Sequence, residues 1–305
     1  LVGFNLSPVL WRKLPGSKSA GRVQSVALKI ITERELEIEK FNPREYWSLK
    51  AIFNKDQDKE FEGRLIQIDD KKIDKLSIKT DTEATNFLEK IQSNNYKVKE
   101  IQKKETKRNP YAAFTTSSMQ IESSRKLGFS ANQTMRTAQK LYEGKEIEGE
   151  PTGLITYMRT DSVIMSKDAI KEVRSYVLEK LGKEYIPTEL RIYKSKAKNA
   201  QEAHECIRPT NIKLTPGKLK KYLSSDEYKL YEIIWQRAVS SQMASAIIDQ
   251  VSINITNDEE NITFRSNGSS IKFPGMLAVY QETKEENNEK NGNDNSNLLP
   301  QLQEG

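Results

Sequence analysis

The sequence holds one cysteine, Cys206, and one histidine, His204, in 305 residues. A lone cysteine excludes an internal disulfide and a cysteine-based zinc finger, and it fits a reducing compartment. A lone histidine excludes a multi-histidine metal centre. No run approaches the ~20 apolar residues of a membrane span, and no signal peptide is visible at the N-terminus, so a cytoplasmic protein with no membrane partner is expected. A GxxxxGKS/T phosphate loop is missing. LPGSKSAGR (14–22) has the small residues but not the glycine spacing, so ATP hydrolysis is not expected. The GxSxG elbow of serine hydrolases is missing too. Acidic residues are many, but no spacing singles out a carboxylate pair. The chain opens on Leu1 rather than Met, which reads as a piece of something longer.

What is present is polar. Charged residues make up 30% and hydrophobic residues 36%, enough for modest cores divided among two or three domains. Lys and Arg number 49 against 43 Asp and Glu, a net charge of +6. An excess of this size suits a polyanion partner and equally a solvated basic surface.

Hydrophobic spacing divides the chain. Val23, Val26, Ala27, Ile30, Ile31 and Leu36 recur every three to four residues, which predicts a helix over 23–41 ended by Asn42-Pro43. Alternating segments at 46–53, 61–69 and 96–108 read as strands, and 80–92 as a helix led in by Thr80 or Asp81. From Thr115 to Gln242 the pattern turns helical: 115–128, 130–144 and 166–182 each carry a polar N-cap and a closing glycine, and 224–244 is a longer helix. Strands return at 250–257 and 260–267. A helical insert within a β-domain explains this order. Residues 281–297, QETKEENNEKNGNDNSN, have almost nothing apolar to bury and read as a disordered linker.

Three stretches carry candidate chemistry. In GLITYMRTDS (153–162) the apolar, β-branched lead predicts an extended backbone, which would place Tyr157 and Arg159 on one side. A phenol ionises only near pH ~10, so it attacks poorly unless a cation favours its anion; a guanidinium also holds phosphate and stabilises charge on phosphoryl oxygens. From the pattern alone, a packed structural tyrosine is the simpler reading. In AQEAHECIRPT (200–210), His204 precedes Arg208 by four residues, and an imidazole and a guanidinium on one turn would suit phosphate, although a lone histidine is commonly structural. In SKSAGRVQS (17–25), small residues and Arg22 lead into a helix start, where free N–H groups suit phosphate. Trp11 beside Arg12 and Lys13 offers a stacking face for single-stranded nucleic acid. A capped helix with a basic surface would look the same.

SPVLWRKL and SAGRVQSVAL, FTTSSMQIESSRKLGFS with TMRTAQKLYEG, GLITYMRTDS, AQEAHECIRPT and LYEIIWQRAVSSQMA together, in this order, closely resemble bacterial type IA DNA topoisomerases over nearly all of residues 1–280. YMRTDS and HE-x-IRPT are the specific signatures. The resemblance implies that Tyr157 attacks a phosphodiester in one strand and stays joined to the 5′ phosphate, that Arg159 positions that phosphate, and that His204 lies near it. It implies DNA contact by Ser19, Ala20, Gly21, Arg22, Val23 and Gln24, with Trp11 in the single-strand groove. It also implies a monomer acting on bacterial DNA in the cytoplasm, with a single strand at the cleavage site and duplex in the central hole. ATP is not needed, because the phosphotyrosine ester preserves the bond energy. Mg²⁺ would serve the complete enzyme through acidic residues of an N-terminal TOPRIM domain that has no counterpart in this sequence. The implied fold is an α+β multidomain piece of the toroid: a partial helical gate domain over 1–45, a β-rich arch over 46–110 and 245–281, and a helical domain with the active tyrosine over 111–244. The linker 282–297 and a resuming gate domain at 298–305 follow. The sequence departs from the family at Ala112-Ala113 and at FPGM (273–276) and Cys206, none of which touches the implied chemistry. By this reading the chain alone binds single strands but is inactive; a non-catalytic nucleic-acid-binding module of the same fold is the alternative.

Overall fold

The structure is a computed structural model that describes residues 2–55, 59–194, 204–281 and 302–304. The expected linker at 282–297 lies outside the described residues, as does most of 298–305. The chain divides into two compact units, Leu1–Leu49 with Ile73–Ser93, and Lys50–Lys72 with Asn94–Gly305.

The first unit is helical. Helix α1 spans Val2–Lys13 and α2 spans Arg22–Lys40, close to the helix expected at 23–41. The turn between them folds back on α1. Trp11 donates its indole N–H to Lys18 O at 2.7 Å, and the Ala20 N–H donates to Ser7 Oγ at 3.1 Å. The apolar residues that reveal α2 in the sequence stay uncovered, with Val23 79% and Ile30 61% exposed. Helix α3, Asp81–Gln92, is capped by Thr80, whose side chain accepts from Glu83 N–H.

The second unit combines a sheet and a helical region. The strands are β1 (Lys50–Lys55), β2 (Lys59–Ile68), β3 (Lys71–Lys72), β4 (Tyr96–Arg108), β7 (Ala246–Asn257) and β8 (Ile262–Phe273). They form one antiparallel sheet in the order β1-β2-β8-β7-β4, with β3 paired to β2. Strands β4 and β7 pair from Tyr96↔Asn257 to Arg108↔Ala246, so the chain leaves and re-enters the sheet on neighbouring strands. Phe53, Phe61, Tyr96 and Phe264 cluster on it with ring centroids 5.5–5.8 Å apart. Gly63 makes room for them: a Cβ there would sit 2.7 Å from the Phe53 ring.

Between β4 and β7 lie α4 (Thr116–Leu127), α5 (Ala131–Glu143), α6 (Lys167–Lys180), α7 (Pro216–Leu219) and α8 (Ser225–Ser241). Their starts follow the expected caps: Thr115, Ser130, Ser166 and Ser224 each accept from the N–H three residues on, an arrangement worth about 1 kcal/mol per cap. Helix α8 supplies the centre of the core. Leu230, Tyr231, Ile234, Ala238 and Val239 are fully buried there, together with Phe114, Met119, Leu141, Leu154 and Ile207. The sequence reading does not include α1, α7, β3 or the hairpin of β5 (Lys145–Ile147) and β6 (Glu150–Thr152). Glu148 and Gly149 both have positive φ, as a two-residue hairpin turn requires.

Candidate active site

Residues 153–162 differ from the strand expected of them. Only an isolated bridge, Ile155↔Pro209, is formed, and the backbone bends at Thr156 and again at Met158 and Arg159. Hydrogen bonds to two other segments replace a ladder. Thr156 N–H donates to Arg208 O at 2.9 Å, and its hydroxyl donates to Cys206 O at 2.7 Å while accepting Arg208 N–H at 3.0 Å. Thr210 N–H reaches Leu154 O at 3.1 Å. On the other side, Thr116 of α4 donates from Oγ1 to Met158 O at 2.7 Å and accepts Thr160 N–H at 2.8 Å, while its own N–H donates to Thr160 O at 2.9 Å. Burial nevertheless alternates: Met158, Thr160 and Ser162 point inward, Arg159 and Asp161 are exposed, and Tyr157 is half-buried. The two-residue separation therefore keeps Tyr157 and Arg159 out of the core, although the strand that suggested it is absent.

Two rings hold Tyr157. Tyr142, at the end of α5, meets it edge-on with centroids 5.4 Å apart, and His204 lies 5.0 Å away at a tilt of 49°. Gly144 makes the turn after Tyr142: its φ is +95°, and a Cβ there would lie 2.3 Å from Thr152 O. Tyr142 was missed in the sequence. Its signal was its place just before the closing glycine of the 130–144 helix, which also serves any helix end.

His204 and Arg208 do not share a helical turn, because residues 204–210 are not helical. Pro209 disfavours helix in the residue before it, and the backbone of this segment is engaged by Phe114, Thr156 and Ile164. Arg208 is occupied by Glu205 through two parallel bonds of 2.8 and 2.9 Å. Burial pushes the Glu205 carboxyl up, but the Arg208 fork, the Ser166 N–H and the Arg208 charge outweigh it and hold it below the usual carboxylate range. Cys206 is buried, and the loss of water pushes its thiol up to about 12. Arg159 contrasts with Arg208: among the described residues it makes no hydrogen bond or ion pair, and the Tyr157 hydroxyl has no hydrogen-bond partner either. The cluster thus has a ring fixed on two sides, an open hydroxyl, and an uncommitted guanidinium two residues on.

Among the described residues no group of three or more His, Cys, Asp or Glu could hold a metal ion, and no helix is long and apolar enough to cross a membrane. The other expected contacts lie in the first unit. Ser19 and Gln24 approach each other at 3.3 Å across the turn, Gly21 is the extended N-cap of α2 without a side-chain cap, and Trp11 is 55% exposed with its N–H tied to Lys18 O. Ala20 is fixed through its N–H to Ser7, and Arg22 and Val23 open α2.

A family model described as DNA topoisomerase matches residues 1–305. The DNA topoisomerase 1 of Rickettsia bellii is 50% identical over 304 residues, covering 100% of this chain and 38% of that protein. The DNA topoisomerase 1 of Zymomonas mobilis is 45% identical over 306 residues, covering 100% of this chain and 24% of its own. Full-length topoisomerase I from Thermotoga maritima has a similar structure, with a TM-score of 0.74 and 36% identity over 93% of this chain and 44% of that one. The chain spans about two fifths of the length of the first of these relatives.

Proposed function

The chain belongs to the DNA topoisomerase family, and from that premise we propose that it is the part of a type IA enzyme that cuts and rejoins one DNA strand through Tyr157. The phenol oxygen attacks a backbone phosphorus, the bond from phosphorus to O3′ breaks, and the 5′ phosphate stays on the tyrosine. The phenol proton leaves Oη and a proton reaches the departing O3′, so a 3′ hydroxyl is released. The phosphotyrosine ester is a reversible covalent store. Attack by the 3′ hydroxyl regenerates the strand without ATP, and passage of the other strand between the two steps relaxes negative supercoils.

The observation that carries this reading is the contrast between a fixed ring and open polar groups. Tyr142 and His204 hold the Tyr157 ring, which limits the positions its hydroxyl can take and so favours in-line attack. Arg159, free of internal partners among the described residues, can present its planar fork to the phosphate and meet the charge that builds on the phosphoryl oxygens. His204 lies beside the same ring and serves the same phosphate. Among the described residues no cluster of donors fits Mg²⁺. In the first unit, Trp11 and the segment Ser19–Gln24 would guide a single strand by stacking and phosphate contact. We assign residues 1–45 to a helical gate domain, 46–110 and 245–281 to a β-rich arch, and 111–244 to the domain bearing Tyr157. Taken alone, this chain should bind single strands without relaxing supercoiled DNA, acting as a monomer.

The test uses the complete enzyme. Tyr157→Phe removes only the hydroxyl, so folding and single-strand binding should survive while the covalent adduct vanishes. Arg159→Lys keeps the charge but loses the fork, and cleavage should fall roughly 10²-fold, as for a lost transition-state donor. A Tyr157→Phe enzyme that still forms a 5′-linked adduct on single-stranded DNA would place the nucleophile elsewhere.

A further inference from the structure

The β5–β6 turn and the stretch from Leu214 to Tyr222 enclose a cleft of about 690 Å³. Its floor is apolar: Ile147 and Leu219 are buried, and Leu214 and Tyr222 half-buried. Its rim is cationic. Lys218, Lys220 and Lys221 line it and are exposed, against one carboxylate, Glu148. Lys221 lies 4.7 Å from the Tyr222 ring centroid. Among the described residues, neither Lys218 nor Lys220 has an ion-pair partner.

Both walls are fastened before any ligand arrives. Lys145 of β5 pairs with the buried Glu227 of α8 at 2.9 Å. Opposite, Tyr231 donates its hydroxyl to Leu214 O at 2.6 Å, and Trp235 its indole N–H to Ile212 O at 3.0 Å. Both walls are also continuous with the Tyr157 cluster: β6 runs directly into Gly153–Tyr157, and the other wall continues the segment Ile207–Thr210 that bonds to Leu154 and Thr156.

We infer that this cleft is a second contact for a single strand of DNA, whose phosphates meet Lys218, Lys220 and Lys221 while an unstacked base covers the apolar floor. The inference rests on the reading of Tyr157 as a DNA-cleaving residue, because chain continuity links the two. A cationic rim over an aromatic and aliphatic floor is the arrangement that binds unpaired strands with little sequence demand. A duplex keeps its bases stacked inside and offers nothing to such a floor. The fastened walls mean that little ordering is lost on binding.

The experiment measures binding of this chain to a fluorescein-labelled oligothymidine by anisotropy across a salt series, for the wild type and for the combined variant Lys218→Gln, Lys220→Gln, Lys221→Gln. All three side chains are exposed, so the fold should persist, and a urea melt checks it. Each single-strand phosphate contact contributes about 0.7 to the salt slope, so three lost contacts should flatten it by about 2 and weaken low-salt binding about tenfold. If the wild type binds and the variant matches it in affinity and slope, the cleft assignment fails while the Tyr157 reading stands. If the wild type does not bind oligothymidine at all, the cleft assignment fails together with the expected single-strand binding of this chain, and the assignment of Tyr157 is left to the adduct in the complete enzyme. A blunt duplex bound as tightly, with the same lysine dependence, overturns the assignment to a single strand.

Discussion

Thr116 fixes the backbone on both sides of Arg159 with one side chain, and Thr116→Val removes that hold while keeping the shape. The 2.7 Å bond to Met158 O, its longer 3.1 Å alternative to Thr160 O and the 2.8 Å bond from Thr160 N–H are lost. The backbone bond from Thr116 N–H to Thr160 O remains. Met158 is 1% and Thr160 8% exposed, so water does not readily replace the hydroxyl. A buried polar group left unpaired costs about 1–3 kcal/mol, and two such groups that partly relax should cost roughly 2–4 kcal/mol. Urea unfolding of the chain reads this as a lower midpoint with an unchanged slope. The chemistry should suffer more than binding. In the complete enzyme, a looser Tyr157–Arg159 pair should slow single-turnover cleavage about 10- to 100-fold, while affinity for the uncleaved strand changes little. A Thr116→Val enzyme with wild-type cleavage and a wild-type urea midpoint would show that these bonds do not hold the site.

Tyr142→Ala opens one side of the Tyr157 ring and should lower kcat for cleavage about tenfold with little change in KM; Tyr142→Phe keeps the ring and should restore it. Glu205 titrates below the usual carboxylate range in the folded chain, so its stabilising effect is present above the ordinary carboxylate pKa and is lost as pH falls through its folded value. The stability gap between wild type and Glu205→Gln, read by urea midpoints, should therefore be open at pH 7 and close under acid; a gap that widens under acid contradicts the ion pair. Cys206, with its thiol pushed to about 12 by burial, should resist iodoacetamide at pH 8 in the folded chain and react once urea unfolds it.

Elements whose signals are local were legible in the sequence. The helices after Thr80, Thr115, Ser130, Ser166 and Ser224 start where the capping residues stand, because a cap and a 3.6-residue period need no distant partner. The sheet strands could be read from alternation, and their discontinuous pairing from the helical insert. The Tyr157 segment misled for the opposite reason. Its apolar, β-branched lead promised a strand, but Thr116, Cys206, Arg208 and Thr210 take its hydrogen bonds, and none of these is a sequence neighbour. The same holds for Arg208, which seemed a partner for His204 until Glu205 occupied its fork. Periodicity gave α2 correctly while hiding that its apolar face is uncovered in this chain.

The covalent adduct itself gives the most direct evidence. Trapping the complete enzyme on a single-stranded oligonucleotide, digesting with trypsin and nuclease, and mapping by mass spectrometry resolves the attacking residue among 12 tyrosines. Trypsin releases residues 146–159, a peptide in which Tyr157 is the sole tyrosine, while Tyr142 falls in the neighbouring peptide 141–145. A nucleotide joined through its 5′ phosphate to the peptide 146–159 is the predicted result. An adduct on any other peptide, or one joined through a 3′ phosphate, contradicts the assignment of Tyr157.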